Sequence, residues 1–558
     1  VDEVKAKSGP SWTGKLIRFA AAYLVVTFLL LLLIFIVGWW ILPPDWTAAV
    51  ANQLVRYGIP RSYIAHRNEY RYGDAVLGYA DRHSVNPGGT FRIMLSTRDR
   101  GNVINGHLEV YRLGASSGDG RQLVYSSDPL QVSYQEALGP VSAVGCSWPP
   151  AISLAAGEEW TSGYYSIDFV TTQGERLKEV AYIVVTNPAQ DGDIAIVLST
   201  NTYQAYNVWG GHSLYSGFLG SSDKSVMVSF DRPTISQFHQ WEFYYVQWLE
   251  TLGYKVDYLS NFDVAQDPAW TEKYPLFIVL GHNEYWSKEG YDYLERRIFE
   301  QGKNTMFLGG NLVYWQVRYQ DIAGLPGGPS LGRQIVCYKN RYDPIIDRLA
   351  EEDAKLFVTS TFRSNNRRPE SMLMGVMYEN YFLAPMPWHR VYGNIRIPIE
   401  GRAFGSQLQP AWQAGPREYF PAYQVVDNSL PFFQGTGLNI GDELPGLIGY
   451  EWDNRGLELD PPRGWREGVS VNKEIPQDSI KVLFSGKLVG AGDRPGLAEA
   501  VYFETDSGAR VFSSGTIRWP WGLGKAEFEH QGFKTLNANL VRYMLETDAT
   551  SVIQERDE

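Results

Sequence analysis

The chain has 558 residues, 44% of them hydrophobic and 20% charged, which is more than one core can hold and predicts a fold of two or three domains. Its net charge of −12 argues against a nucleic-acid partner, which would need a basic face to neutralise phosphates. Two cysteines, Cys146 and Cys337, exclude a disulfide framework and a thiolate metal cluster; they are expected as separately buried thiols, with a single bridge as the alternative.

Residues 1–18 carry Lys5, Lys7, Lys15 and Arg18, and Phe19 to Leu42 then run without a charge. As a helix rising 1.5 Å per residue, that run would be about 36 Å long, enough to cross a bilayer with some tilt. The apolar run is longer than a signal-peptide core and ends in no small-residue cleavage site. The positive-inside rule puts the N-terminus in the cytoplasm, and Trp39, Trp40 and Trp46 sit where an aromatic belt belongs. The expectation is a single-pass inner or plasma membrane protein with its main domains periplasmic or extracellular and the lipid bilayer among its partners. Residues 43–75 read as a juxtamembrane connector.

From residue 76 the hydrophobic period becomes two. In "TFRIMLST" Phe91, Ile93 and Leu95 share a face, and in "HLEVYRL" Leu108 and Val110 do. With "YYSIDFV" and "VAYIVV", and with Gly/Ser/Asp clusters between the runs, residues 76–188 predict an immunoglobulin-like β-sandwich.

Residues 189–548 alternate strands with helices. "IAIVLST", "KVDYLS", "YPLFIVLG" and "NTMFLGG" read as strands; "QFHQWEFYYVQWLETLGY" and "SKEGYDYLERRIFEQGK" read as helices ended by Gly253 and Gly302. Near-continuous apolar strands predict an α/β domain with a mainly parallel sheet, layered like a glutamine amidotransferase. "SIKVLFSG", the hairpin-like "AEAVYFETDSGARVFSSG" and a helix from about Gly532 to Glu546 close it, before a tail at 549–558.

In such sheets ligands gather at the carboxyl ends of strands, and "LGHNEYWS" occupies one such end. His282 and Glu284, two apart, project to the same side of an extended segment. Neighbouring strand ends supply Tyr203, Tyr206, Asn207 and His212 from "NTYQAYNVWGGHSLY", and Asn311 from "FLGGN". Phenol, carboxylate, imidazole and carboxamide together suit a ligand or metal site; packing of aromatic residues around a glutamate is the plainer reading. No zinc His-Glu-x-x-His motif, Walker loop or Gly-x-Gly-x-x-Gly after the first strand occurs. A Gly-x-Ser-x-Gly pattern places Ser330 in a Gly/Pro-rich loop instead of a strand-to-helix turn, so Ser330 is not read as a nucleophile.

These blocks, with "SFDRP", "GGNLVYW", "RQIVCYKN", "GLIGYEWD" and "VFSSGTIRWPWGL", occur in an order that resembles the N,N-dimethylformamidase large-subunit family, C-terminal region plus the preceding sandwich, from about Leu77 to Glu546. The resemblance implies an amidohydrolase acting on C–N bonds of small amides through one mononuclear Fe(III) held by two tyrosinates and a glutamate, a donor set that suits a hard ion. Carried over by motif, Glu284 is the carboxylate ligand. One tyrosinate comes from Tyr206 or Tyr203, and the other from the sandwich, at Tyr165 or its neighbour Tyr164. His282 would serve as acid/base, and Asn311 would orient substrate or water. The membrane segment stands where the characterised amidase has a lectin-like region, which raises a rival expectation: a non-catalytic accessory subunit docked to other membrane-complex subunits, or to a second copy.

Overall fold

The computed structural model describes residues 75–546 apart from 116–118, 138–139, 216–223, 235, 267–268, 321–331, 365–367, 382–420, 457–474, 476 and 491–493. The apolar run 19–42 and Ser330 lie outside the described residues. Among the described residues no helix is long and apolar enough to cross a membrane. The expected single-pass membrane topology is corrected accordingly: no spanning element is found among the described residues.

Residues 75–186 form two facing sheets. Val76–Ala80, Thr90–Thr97 and Pro150–Ala155 make an antiparallel three-stranded sheet. Six strands make the other, in the order Ser84–Val85, Arg176–Val185, Gly163–Thr171, Val103–Leu113 and Arg121–Ser126, with Leu130–Ser133 also paired to Val103–Leu113. The alternation read in the sequence sends Phe91, Ile93 and Leu95 from one sheet, and Leu108, Val110, Ile167 and Phe169 from the other, into one apolar cluster. The strand Gly163–Thr171 is buried along its whole length because its second face is covered too: the Tyr164 ring stacks on Phe238 of the next layer at 4.1 Å.

That next layer is built on a nine-stranded sheet. Val256–Leu259, Ile194–Val197, Leu276–Gly281, Asn304–Gly309 and Arg510–Ser513 run parallel. Arg510–Ser513 is then paired antiparallel to Arg494–Glu504, followed by Lys481–Gly490, Tyr423–Val425 and Glu443–Leu444, all antiparallel. Two smaller sheets flank it: Met227–Ser229, Gln334–Val336, Trp315–Gln320 and Tyr285–Ser287, and the pair Met377–Tyr381 with Glu451–Asn454. The expected fold class, a membrane helix followed by a sandwich and a mainly parallel α/β domain, is therefore corrected to a mostly β protein of several sheets, some mixed. The cause is local: hairpin turns such as that at 505–509 reverse the chain with no helical crossover, and only a crossover makes neighbours parallel.

The parallel half positions the site. Phe238–Trp241 and Phe243–Glu250 are helices whose Tyr245, Val246 and Leu249 enter the core against it. Lys288–Glu295 starts where the Ser287 hydroxyl accepts from the Gly290 N–H, and passes into a π-helical turn at Arg296–Glu300.

Candidate metal and proton-transfer site

Leu276–Gly281 is wholly buried, and at its carboxyl end Gly281 takes φ +80°, the left-handed region that turns the chain away from the strand. A Cβ there would lie 2.7 Å from the Glu242 side chain, so the turn packs directly over that carboxylate. His282, Asn283 and Glu284 follow, all buried, before the chain re-enters a strand at Tyr285. On the neighbouring strand end, a Cβ on Gly309 would meet the Gly281 carbonyl at 2.1 Å; this close backbone approach brings Asn311 beside the turn.

The helix Thr200–Tyr206, buried at each of its seven residues, leads off the strand Ile194–Val197 and docks on the same turn. The Glu284 N–H donates to Thr202 Oγ1 at 3.0 Å, and the Tyr206 hydroxyl donates to Glu284 Oε2 at 2.7 Å. Tyr203, three residues earlier, donates instead to Glu242 Oε1 at 2.7 Å. Tyr165 lies in the sandwich core, stacked on Trp160 and donating to the Thr161 carbonyl at 2.6 Å. Tyr164 donates to Ser236 Oγ at 2.7 Å. The structure thus brings Tyr206, His282, Glu284 and Asn311 to one place and gives Tyr203, Tyr164 and Tyr165 other partners. Asn207 donates to the Pro233 carbonyl at 2.9 Å, holding the loop after the helix.

Glu451, on the strand Glu451–Asn454, completes the cluster and was not singled out from the sequence. Its Oε2 lies 2.9 Å from His282 Nε2, which is also 3.5 Å from Glu284 Oε2. Its Oε1 accepts from Asn311 Nδ2 at 3.1 Å, while the Asn311 N–H donates to Asp453 Oδ1 at 2.8 Å. Behind the ring, His282 Nδ1 stands 3.4 Å from Gln237 Oε1. The signal for Glu451 was present in "GLIGYEWD", where it and Asp453 are two carboxylates in an aromatic and apolar run, but nothing in the sequence joins them to residue 282. Lys339 of "RQIVCYKN" was missed in the same way: its Nζ donates to the Tyr285 hydroxyl at 2.7 Å.

Electrostatics follow from burial. Removal from water pushes the Tyr206 hydroxyl well above the usual phenol range, and the Glu284 charge adds to it. Burial also raises Glu284, against the pull of His282. Burial works against a cationic His282, yet the Glu451 carboxylate outweighs it and holds the imidazole above its ordinary value. Glu242 is pushed up to about 7 by burial, and Asp453 likewise to about 7.

Among the described residues no three His, Cys, Asp or Glu side chains are arranged to hold a metal ion, so a metal here would depend on phenolate oxygen. The donor chemistry does fit a hard cation: a phenol and a carboxylate 2.7 Å apart beside an imidazole and a second carboxylate. Two atoms of that set, His282 Nε2 and Glu451 Oε2, are buried and misaligned for a mutual hydrogen bond, so each keeps unused capacity.

Comparison with curated proteins gives no match. One solved chain, from "Structural basis of T cell specificity and activation by the bacterial superantigen toxic shock syndrome toxin-1", is 12% identical and covers 20% of this chain and 98% of its own at TM-score 0.13, too low to carry an argument. The family described as "N,N-dimethylformamidase beta subunit-like, C-terminal" matches residues 107–532, a stretch that holds Tyr206, His282, Glu284, Asn311 and Glu451. With most of its length matched, the chain belongs to the N,N-dimethylformamidase beta subunit-like family and is a hydrolase-related protein.

Proposed function

We propose that the protein is a metal-dependent amidohydrolase that cleaves the C–N bond of small amides, with Glu284 and Tyr206 as metal ligands and iron as the metal. The observation that carries this reading is the buried run of contacts Tyr206–Glu284–His282–Glu451, in which ligand-type oxygens and a proton carrier share one site away from bulk solvent. A bound ferric ion would supply Lewis acidity toward an amide carbonyl and a water molecule. The chain's own residues handle the rest. Glu451 takes the proton of the attacking water, and His282 passes a proton to the departing amine nitrogen as the C–N bond breaks, leaving a carboxylic acid and an amine; the proton on Glu451 then returns to His282 across 2.9 Å. Asn311 holds Glu451 through Nδ2, and its Oδ1, buried without a hydrogen-bond partner, is placed to accept from water or substrate. The words "beta subunit" in the family's description support work within an assembly that includes another subunit.

The test is elemental analysis with a visible absorption spectrum on purified protein. About one iron per chain with a tyrosinate charge-transfer band, both lost in Glu284→Gln, is the expected result. Retained metal and turnover in that variant would refute the assignment.

A further inference from the structure

Tyr164 of the sandwich bonds to Ser236 instead of reaching the centre, and that bond is half of a clamp. Between the pairs Ile167–Ala181 and Phe169–Leu177 the strand Arg176–Val185 bulges, so that Lys178, Glu179 and Val180 stand opposite Asp168 alone. Glu179 takes φ +53° there, with its N–H donating to Asp168 Oδ1 at 2.9 Å. A bulge re-aims the side chain it carries, and a left-handed backbone at a residue other than glycine is kept at a cost. This one sends Glu179 across to the next layer, where its Oε1 accepts from the Ser236 N–H at 3.2 Å and from the Ser236 hydroxyl at 2.6 Å. The same Ser236 Oγ accepts from Tyr164 at 2.7 Å, and the Tyr164 ring lies flat on Phe238 at 4.1 Å. Two sandwich strands thus hold the chain on both sides of residue 237.

Gln237 is buried, and its carbonyl accepts from the Gln240 and Trp241 N–H groups at 3.0 and 3.1 Å as the helix begins. Its side-chain Oε1 stands 3.4 Å from His282 Nδ1, the one partner of that nitrogen among the described residues. An amide oxygen only accepts, so this contact keeps a proton on Nδ1 and leaves Nε2, 2.9 Å from Glu451, as the nitrogen that exchanges protons. Glu242, at the end of the same short helix, packs under the Gly281 turn that leads into His282. The clamped segment therefore supports both the ring and the chain that carries it.

We propose that Gln237 is a positioning residue for His282, fixing the Nδ1–H form and the angle of the ring, and that the sandwich serves the reaction by holding Gln237 through Glu179, Ser236 and Tyr164. The kinetic consequence rests on the amidohydrolase reading above; the place of the proton rests on the contact geometry alone. Partners that orient a catalytic or ligating imidazole in this way are worth about 10–100-fold in activity.

The experiment joins kinetics on a panel of small amides, from formamide to N,N-dimethylformamide, to nitrogen NMR of the full chain with isotope-labelled histidine. The His282 signals are identified by their loss in His282→Gln, and iron, where bound, is replaced by diamagnetic gallium. The unaltered protein should carry its His282 proton on Nδ1. Gln237→Met, which keeps the side chain's length without the acceptor, should lose that preference and lower kcat about 10–100-fold with KM unchanged, whereas Gln237→Glu, which keeps an acceptor, should hold the proton and most of kcat. On the sandwich side, Glu179→Ala should lower kcat in the same manner, and Glu179→Gln, which still accepts from Ser236, should not. A general folding defect would not follow the presence of the acceptor. A proton on Nε2 in the unaltered protein, or an unchanged spectrum in Gln237→Met, would overturn the assignment. Amide cleavage with the same kcat in Gln237→Met upholds the amidohydrolase reading and refutes this one. If the unaltered protein cleaves no amide of the panel, the amidohydrolase reading fails, and the nitrogen spectra of the unaltered protein and Gln237→Met decide the role of Gln237 by themselves.

Discussion

Tyr206 donates its phenolic proton to Glu284 across 2.7 Å, joining the helix that follows one parallel strand to the turn that follows its neighbour. Tyr203 makes the same bond, at the same distance, to a different carboxylate, Glu242. Replacing each tyrosine by phenylalanine removes one buried donor from one buried carboxylate, so both variants should lose about 1–3 kcal/mol in denaturant unfolding. Their metal content should differ. Tyr206→Phe is expected to lose iron and the visible band while Tyr203→Phe keeps both, and the opposite pattern would move the ligand to Tyr203.

Glu451 and Glu284 flank His282 but are assigned different work. Glu451→Gln keeps the side chain's size and its bond from Asn311, yet removes the proton acceptor and the charge that raises His282 above its ordinary value. The variant should retain iron and fall in kcat by about 10²–10⁴-fold, as expected when a general base is removed. Loss of iron on this substitution, measured by elemental analysis, would make Glu451 a ligand instead.

Asp453 gives the fold a pH signature. Burial lifts its carboxyl to about 7, from the ordinary 3.8 of an aspartate in the open chain. Between those values the native state holds a proton that the unfolded chain has released, so stability falls as pH rises through the window. The contribution is on the order of 4 kcal/mol by pH 7.5 and absent below pH 3.5. Asp453→Asn keeps an oxygen for the Asn311 N–H and should flatten this part of the stability curve, read by urea midpoints from pH 4 to 8; an unchanged slope would show that the group titrates normally.

Gly281 and Gly253 both sit near φ +80°, and only their surroundings differ. An added methyl at Gly253 meets open space, whereas at Gly281 it meets the Glu242 side chain at 2.7 Å. Gly253→Ala should cost about 1–2 kcal/mol, the penalty of the left-handed backbone alone. Gly281→Ala should cost at least about 1 kcal/mol more, because the displaced carboxylate is buried and bonded to Tyr203 and the Ser199 N–H. Equal losses in urea unfolding would mean that Glu242 moves aside freely.

By itself the sequence marked where buried strands begin and end, because an apolar run bounded by glycine and polar residues has few other solutions: "YPLFIVLG" became Leu276–Gly281, and "NTMFLGG" became Asn304–Gly309. It also marked His282 and Glu284, since three consecutive polar residues directly after a charge-free strand stand out in any window. Strand direction was not legible. Lys481–Gly490 and Arg494–Glu504 belong to the same sheet as the parallel strands, and hydrophobic period reports which faces are covered, not which way the neighbour runs. Tyr203 and Tyr206 are one helical turn apart on the same helix, so choosing between them required knowing that Glu284 lies under one and Glu242 under the other. Glu451 and Lys339 reach the site from segments more than fifty residues along the chain from Glu284, each carried by pairing within its own small sheet. Local chemistry determined what residue 284 could do; only the tertiary fold decided which charges would stand around it, because contacts between distant segments are set by packing and register that no short stretch of sequence encodes.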